Sequence, residues 1–160
     1  MHIRQMTIID YDAVLALWQQ VDGLQLRDVD SREGIARYLE RNPGLSFVAI
    51  SDAQLSGAAT VKLGAEPVAE TIIGALIAGH DGRRGYIQHL AVAPCWQRQG
   101  VGEALVKICL SALKNQGIMK SHILVLTENV AAKSFWSDSG WLVRQDVEIF
   151  SFVNSDDPNT

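Results

Sequence analysis

The sequence predicts an α/β domain, and three observations carry that prediction. Residues 86–113 read in succession as a strand, a glycine-bearing loop and an amphipathic helix. Elsewhere the apolar spacing switches between short strand-like runs, 45–51 and 72–78, and stripes that recur at three and four residues. The 160 residues are 48% hydrophobic and 20% charged, enough for one soluble domain with a real core. That domain is expected to span residues 1–153, with a polar tail over 154–160.

The stretch from Tyr86 to Leu113 organises the rest. Its apolar opening reads as a strand that ends at Ala93-Pro94, because the residue before a proline is pushed out of the helical region. A helix restarts after Gly100-Val101-Gly102, with Val101, Ala104, Leu105, Ile108, Cys109, Ala112 and Leu113 on one face and Gly117 as its stop. The first N–H groups of a helix have no internal partner and the dipole is positive there, so this turn is suited to a phosphate or pyrophosphate. The alternative is a tight turn with no ligand. A dinucleotide fingerprint would need glycine where Leu105 stands, and a Walker loop would need Lys-Ser/Thr where Glu103-Ala104 stand.

The other elements follow in order. His2 to Ile9 reads as a strand; Asp10 has the place of an N-cap, with Ile9 and Val14 spaced to staple a helix that buries Val14, Leu17, Trp18 and Val21. Asp30 and Glu33 have capping-box spacing for a second helix with Ile35, Tyr38 and Leu39, halted at Asn42-Pro43-Gly44. The connection over 51–71 is much longer than a usual hairpin loop, which leaves open a cover for the site, a pairing with a second subunit in a homodimer, or a mobile tip. Asp81-Gly82 is a hairpin turn. Ser121 to Leu126 reads as the fifth strand, Asn129 to Ser139 as a helix, and Trp141 to Val153 as one or two final strands.

A net charge of −4 argues against a nucleic-acid or membrane-surface binder, although Arg98 with Lys133 would make a local basic pocket. No charged-then-apolar leader and no run of membrane length is seen, so a cytoplasmic location is expected. Cys95 and Cys109 do not suggest a disulfide framework, and Cys109 belongs to an apolar helix face. His2, His80, His89 and His122 lack ligand spacing, so no metal is expected.

Two motifs carry a family resemblance. Gln97-Arg98-Gln99-Gly100-Val101-Gly102, after the Leu90-Ala91-Val92 strand, resembles the Q/R-x-x-G-x-G/A acetyl-CoA motif of the GNAT superfamily of N-acetyltransferases. The stretch from Asn129 to Trp141 is similar to that family's N-x-x-A-x-x-Φ-Y-x-x-x-G-F signature, and one helix plus one strand separates the two. The turn from Gly79 to Gly85 resembles a string found in a bacterial, YpeA-like subset.

The resemblance implies a mixed central sheet parted between its fourth and fifth strands, flanked by about four helices. It implies acetyl-CoA as cosubstrate and an amine of a small molecule or peptide as acceptor. Leu90, Ala91 and Val92 would line the pantetheine arm, Gln97 to Gly102 would wrap the pyrophosphate, and Asn129 and Lys133 would face the cofactor. Arg27, with Asp28 and Asp30, lies in the segment that borders the acceptor in this family; Arg27, Asp81 and Gln88 are the substrate candidates.

The chain departs from the pattern at the chemistry. Tyr86 and Gln88 stand where a Glu or His base is usual, and Trp136 stands where a Tyr acid is usual. An indole N–H donates a hydrogen bond but is no acid at neutral pH. Tyr86 is then the candidate relay and Trp136 a packing or hydrogen-bonding neighbour of the sulfur. Strand alternation puts His89 opposite Gln88 and Leu90 unless a bulge intervenes, which favours core or surface over base. Three readings remain: an N-acetyltransferase, a CoA-binding or sensory module without turnover, and a nucleotide-binding domain.

Overall fold

The computed structural model describes residues 1–52 and 70–156. Nine elements follow: β1 His2–Gln5, α1 Tyr11–Trp18, α2 Arg32–Arg41, β2 Phe47–Ser51, β3 Thr71–His80, β4 Gly85–Val92, α3 Val101–Asn115, β5 Ser121–Ile123 and α4 Val130–Asp138. The strands form one sheet in the order β1-β2-β3-β4-β5. The first three pairings are antiparallel and the last, β4 with β5, is parallel. This is the mixed sheet with four helices that the resemblance implied.

Each face of the sheet buries its own apolar layer. On one side α3 and α4 cover Phe47, Ile73, Leu76 and Ile87 with Val101, Leu105, Cys109, Leu113 and Trp136. On the other, α1 and α2 cover Val48, Ile50, Ala75, Ile77 and Ala91 with Val14, Leu17, Trp18 and Ile35. Strand alternation explains the sorting: Leu76 and Ala78 face one layer, Ala75 and Ile77 the other. Leu105 is wholly buried, and truncating such a residue to Ala costs about 2–5 kcal/mol.

Five expectations need correction. The first strand ends at Gln5, and a 3-10 turn over Ile8–Asp10 follows. There the Asp10 carboxylate accepts from the Thr7 N–H at 2.8 Å and from the Arg4 guanidinium at 2.7 and 2.9 Å, so it does not cap α1. Ile9 is 86% exposed and staples nothing. The N-cap of α2 is Ser31, whose Oγ accepts from the Gly34 N–H; Asp30 is engaged elsewhere.

The fourth is the fifth strand, which stops at Ile123, where its pairing with β4 ends. The fifth is the C-terminal segment: no strand forms between Trp141 and Asp156, and Leu142, Phe150 and Phe152 are each more than 85% exposed. Strand propensity is realised only against a pairing edge, and this segment has none among the described residues. The expected role of the long 51–71 connection falls mostly on residues outside those described, as does the tail from 157.

Candidate active site

β4 and β5 share only three register pairs, Gly85 with Ser121, Tyr86 with His122 and Ile87 with Ile123. From Gln88 onward β4 continues beside β3 alone, with Ala91 opposite Ala75 and Val92 opposite Gly74. Its other edge therefore has no strand beside it over Leu90, Ala91 and Val92, where β4 runs on toward the loop before α3. A strand edge with no neighbouring strand can offer its free N–H and C=O groups to an amide-bearing ligand.

The loop is held by its own side chains. After a 3-10 turn over Pro94–Trp96, the Gln97 amide donates to the Val92 carbonyl at 3.2 Å and the Gln99 amide to the Cys95 carbonyl at 2.8 Å. Arg98 adopts φ 59 and is exposed. Gly100 has φ 80, and a side chain there would meet nothing within 4 Å. Ala104 donates the first helical bond to the Gly100 carbonyl at 3.0 Å, so the N–H groups of Val101, Gly102 and Glu103 precede any helical acceptor. An open, positively polarised turn of this kind fits a diphosphate.

α4 borders the gap. Asn129 caps it, its Oδ1 accepting from the Ala132 N–H at 2.9 Å, while its Nδ2 lies against Gly23 in the connection between α1 and α2. The Lys133 ammonium donates to the Thr127 carbonyl at 2.5 Å. Trp136 is buried and makes edge contacts with Phe135 and Trp141, so it is part of the core on the α3 side. Tyr86 is 38% exposed, with its ring 6.0 Å from that of His122, at the paired end of β4.

The substrate candidates scatter. Gln88 lines a cleft of about 270 Å³ together with Asp30, Tyr38, Ile77, Arg37 and Arg41. Burial pushes the Tyr38 phenol up to about 12, so it stays protonated. The Arg27 N–H donates to the Asp30 carboxylate at 2.8 Å and its guanidinium to Gln25 at 3.2 Å. Asp81 sits at the tip of the β3–β4 turn, where its Oδ1 accepts the N–H groups of Arg83 and Arg84; those bonds hold its carboxyl below the usual range.

What strand alternation missed is a bulge. On β3 only Leu76 lies between Ala75 and Ile77, whereas on β4 both His89 and Leu90 lie between the partners Ala91 and Gln88. The surplus residue is His89, at φ 48, a conformation that costs a non-glycine residue roughly 1–2 kcal/mol. The bulge turns the imidazole to the α1 side, the face that Gln88 also takes. There Nε2 meets Asp30 Oδ1 at 2.6 Å, and the ring lies 4.8 Å from that of Trp18. Burial alone would raise the Asp30 carboxyl, but the His89 bond, the Arg27 N–H and the His89 charge hold it below its ordinary value. Only a weak signal was legible: His is enriched among residues that tolerate positive φ.

A mixed sheet parted between a central strand and its parallel neighbour, running into a glycine turn at a helix start, defines the acyltransferase class suggested by the motifs. Residues 12–141 match the Acetyltransferase (GNAT) family, and the chain belongs to it. An acetyltransferase of Pectobacterium atrosepticum is 30% identical over 131 residues, covering 82% of this chain and 80% of that protein. One of Sodalis glossinidius is 28% identical over 136 residues, covering 85% and 83%. The PaiA N-acetyltransferase of Thermoplasma acidophilum in complex with coenzyme A shares the fold with a TM-score of 0.71 at 18% identity, covering 89% of this chain and 90% of that one. An aminoglycoside acetyltransferase from a soil metagenome, in complex with sisomicin, does so with 0.66 at 18%, covering 96% of each.

Among the described residues no cluster of three or more His, Cys, Asp or Glu could hold a metal ion. Among them, too, no helix is long and apolar enough to cross a membrane.

Proposed function

We propose that this chain moves the acetyl group of acetyl-CoA to a primary amine of a small molecule or peptide, by direct attack in a ternary complex. One observation carries the reading: the unpaired edge of β4 leads into the open Gly100 turn at the start of α3. In this reading Leu90, Ala91 and Val92 bind the pantetheine arm through the backbone, and an N–H on that edge stabilises the oxyanion as the amine attacks. Residues Gln97 to Gly102 hold the diphosphate, with the N–H groups of Val101 and Gly102 closest to hand, and Asn129 and Lys133 flank it. Gln88 borders the acceptor cleft, with Arg27 supporting its wall through Asp30. Tyr86, at the paired end of β4, serves as a relay, and Trp136 acts through packing. Asp81, already engaged by its own turn, is the weakest of the acceptor contacts.

The finer assignments rest on sequence. They are a YpeA-like bacterial branch, from the turn over Gly79 to Gly85, a single domain through residue 153, and a cytoplasmic location. Calorimetry with acetyl-CoA, ATP and NAD tests the cofactor: binding of a nucleotide but not of CoA removes the reading. Incubation with acetyl-CoA and a panel of amines, following free thiol, tests transfer. A second reading, a CoA-binding module without turnover, is favoured by the buried Trp136 in place of an acid; tight CoA binding with silence across the panel selects it.

A further inference from the structure

Resting on the acetyl-transfer reading, we infer that His89, oriented by Asp30, is the base that takes the proton from the acceptor amine. The geometry is that of an oriented imidazole. A carboxylate can only accept, so the 2.6 Å contact with Asp30 Oδ1 places the proton on Nε2 and leaves the lone pair of neutral His89 on Nδ1. Asp30 is itself fixed by the Arg27 N–H on Oδ2, at 2.8 Å, and its carbonyl accepts from the Tyr11 hydroxyl at 2.8 Å. The Trp18 ring is wholly buried beside the imidazole, and its N–H is the one buried side-chain polar atom without a partner among the described residues.

Three costs therefore converge here: a non-glycine residue at positive φ, a carboxylate 5% exposed and an orphaned indole N–H. Strain and burial of this kind cluster at functional sites. Of the pair, Asp30 lines the 270 Å³ cleft under α2 together with Gln88, the residue before His89, and that space can take an acceptor. The other titratable or charged groups facing the pair are the Tyr11 hydroxyl and Tyr38, Arg37 and Arg41 in the cleft, while the Arg32 guanidinium lies 5.0 Å over the Tyr11 ring and is bound by Asp12.

The step balances without a further reactant. An alkylammonium near pKa ~10.4 must lose a proton to attack. His89 Nδ1 takes it, Asp30 stabilises the imidazolium, and the amine nitrogen bonds to the thioester carbonyl carbon. The carbon–sulfur bond breaks and the electron pair leaves on sulfur. The second amine proton goes with the thiolate as free thiol, and His89 returns its proton to water.

The test uses the full chain. His89→Gln keeps the ring's bulk in part and is expected to bind CoA as the wild type does, while kcat/KM falls on the order of 10²-fold or more. It should also lose the acid limb of the kcat/KM–pH profile. Asp30→Asn should shift that limb and lower kcat with KM little changed, circular dichroism confirming its fold. Nitrogen NMR of histidine-labelled protein supplies a readout that needs no acceptor: the imidazole signal absent from His89→Gln should, in its neutral form, be protonated at Nε2 and bare at Nδ1. Intact CoA binding with His89→Gln within twofold of wild-type activity overturns this assignment alone, as does the opposite tautomer. Wild-type protein that does not bind CoA overturns the acetyl-transfer reading itself.

Discussion

The ring of Phe135 fills the space into which a side chain on Gly102 would point: a Cβ there would lie 3.2 Å from Cε2 and 3.3 Å from Cζ. The first turn of α3 and the middle of α4 are thus in contact, and the two sequence motifs meet as one packed joint. A branched side chain at Gly102 must push the ring away. Gly102→Val is expected to destabilise by about 1–3 kcal/mol through overpacking and to weaken CoA binding as well. Thermal unfolding and calorimetry check it; a variant with wild-type Tm and affinity would show that the joint yields freely.

Gly100 makes the opposite demand. Its φ of 80 disfavours any side chain, yet there is open space where one would go. Gly100→Ala should therefore lose only about 1–2 kcal/mol of stability, with modest loss of CoA affinity. Gly100→Glu adds a negative charge where a diphosphate is proposed and should abolish CoA binding while the protein stays folded. Equal affinities for the two variants would argue that no anion sits there.

The two thiols should differ sharply. Burial pushes Cys109 up to about 12, whereas Cys95 is exposed in the loop before α3. Mass spectrometry after brief alkylation of native protein should show a single adduct, on Cys95, and two after unfolding. Rapid modification of Cys109 in the native state would mean that the α3 face opens readily.

Acid should weaken the α1 side first. Asp10 and Asp30 are both nearly buried, and in each the hydrogen bonds outweigh burial and hold the folded pKa below the ordinary value of ~3.9. A group with a depressed folded pKa contributes stability that is fully present above its unfolded pKa and is lost as pH falls through the folded one. Denaturant midpoints should hold from neutral pH down to about 5 and drop below about 4. Arg4→Ala, which removes the guanidinium bound to Asp10, should reduce stability at neutral pH and flatten that acid-dependent fall. An unchanged acid profile would remove Asp10 from the account.

Much of this architecture was legible in the chain. The helical stripe from Val101 to Leu113 and the break at Ala93-Pro94 are local signals, and the folded chain places α3 where they point. Capping was misread, because Asp10 and Asp30 stand at helix starts but find stronger partners in Arg4 and His89, which tertiary structure brings near. Strand propensity misled at residues 141–153, where no pairing edge is offered. The His89–Asp30 pair was hidden for a geometric reason. A period of two assigns faces by counting, and one surplus residue in β4 makes the count wrong from that point on.

That surplus has a further meaning. Without His89, Gln88 would still pair with Ile77 and Ala91 with Ala75, leaving Leu90 alone opposite Leu76 in a regular ladder. Leu90, Ala91 and Val92 would keep the layers they already occupy. The ladder therefore keeps its pairing on either side of the extra residue, and what the insertion adds is a side chain delivered to the α1 side, where it meets Asp30.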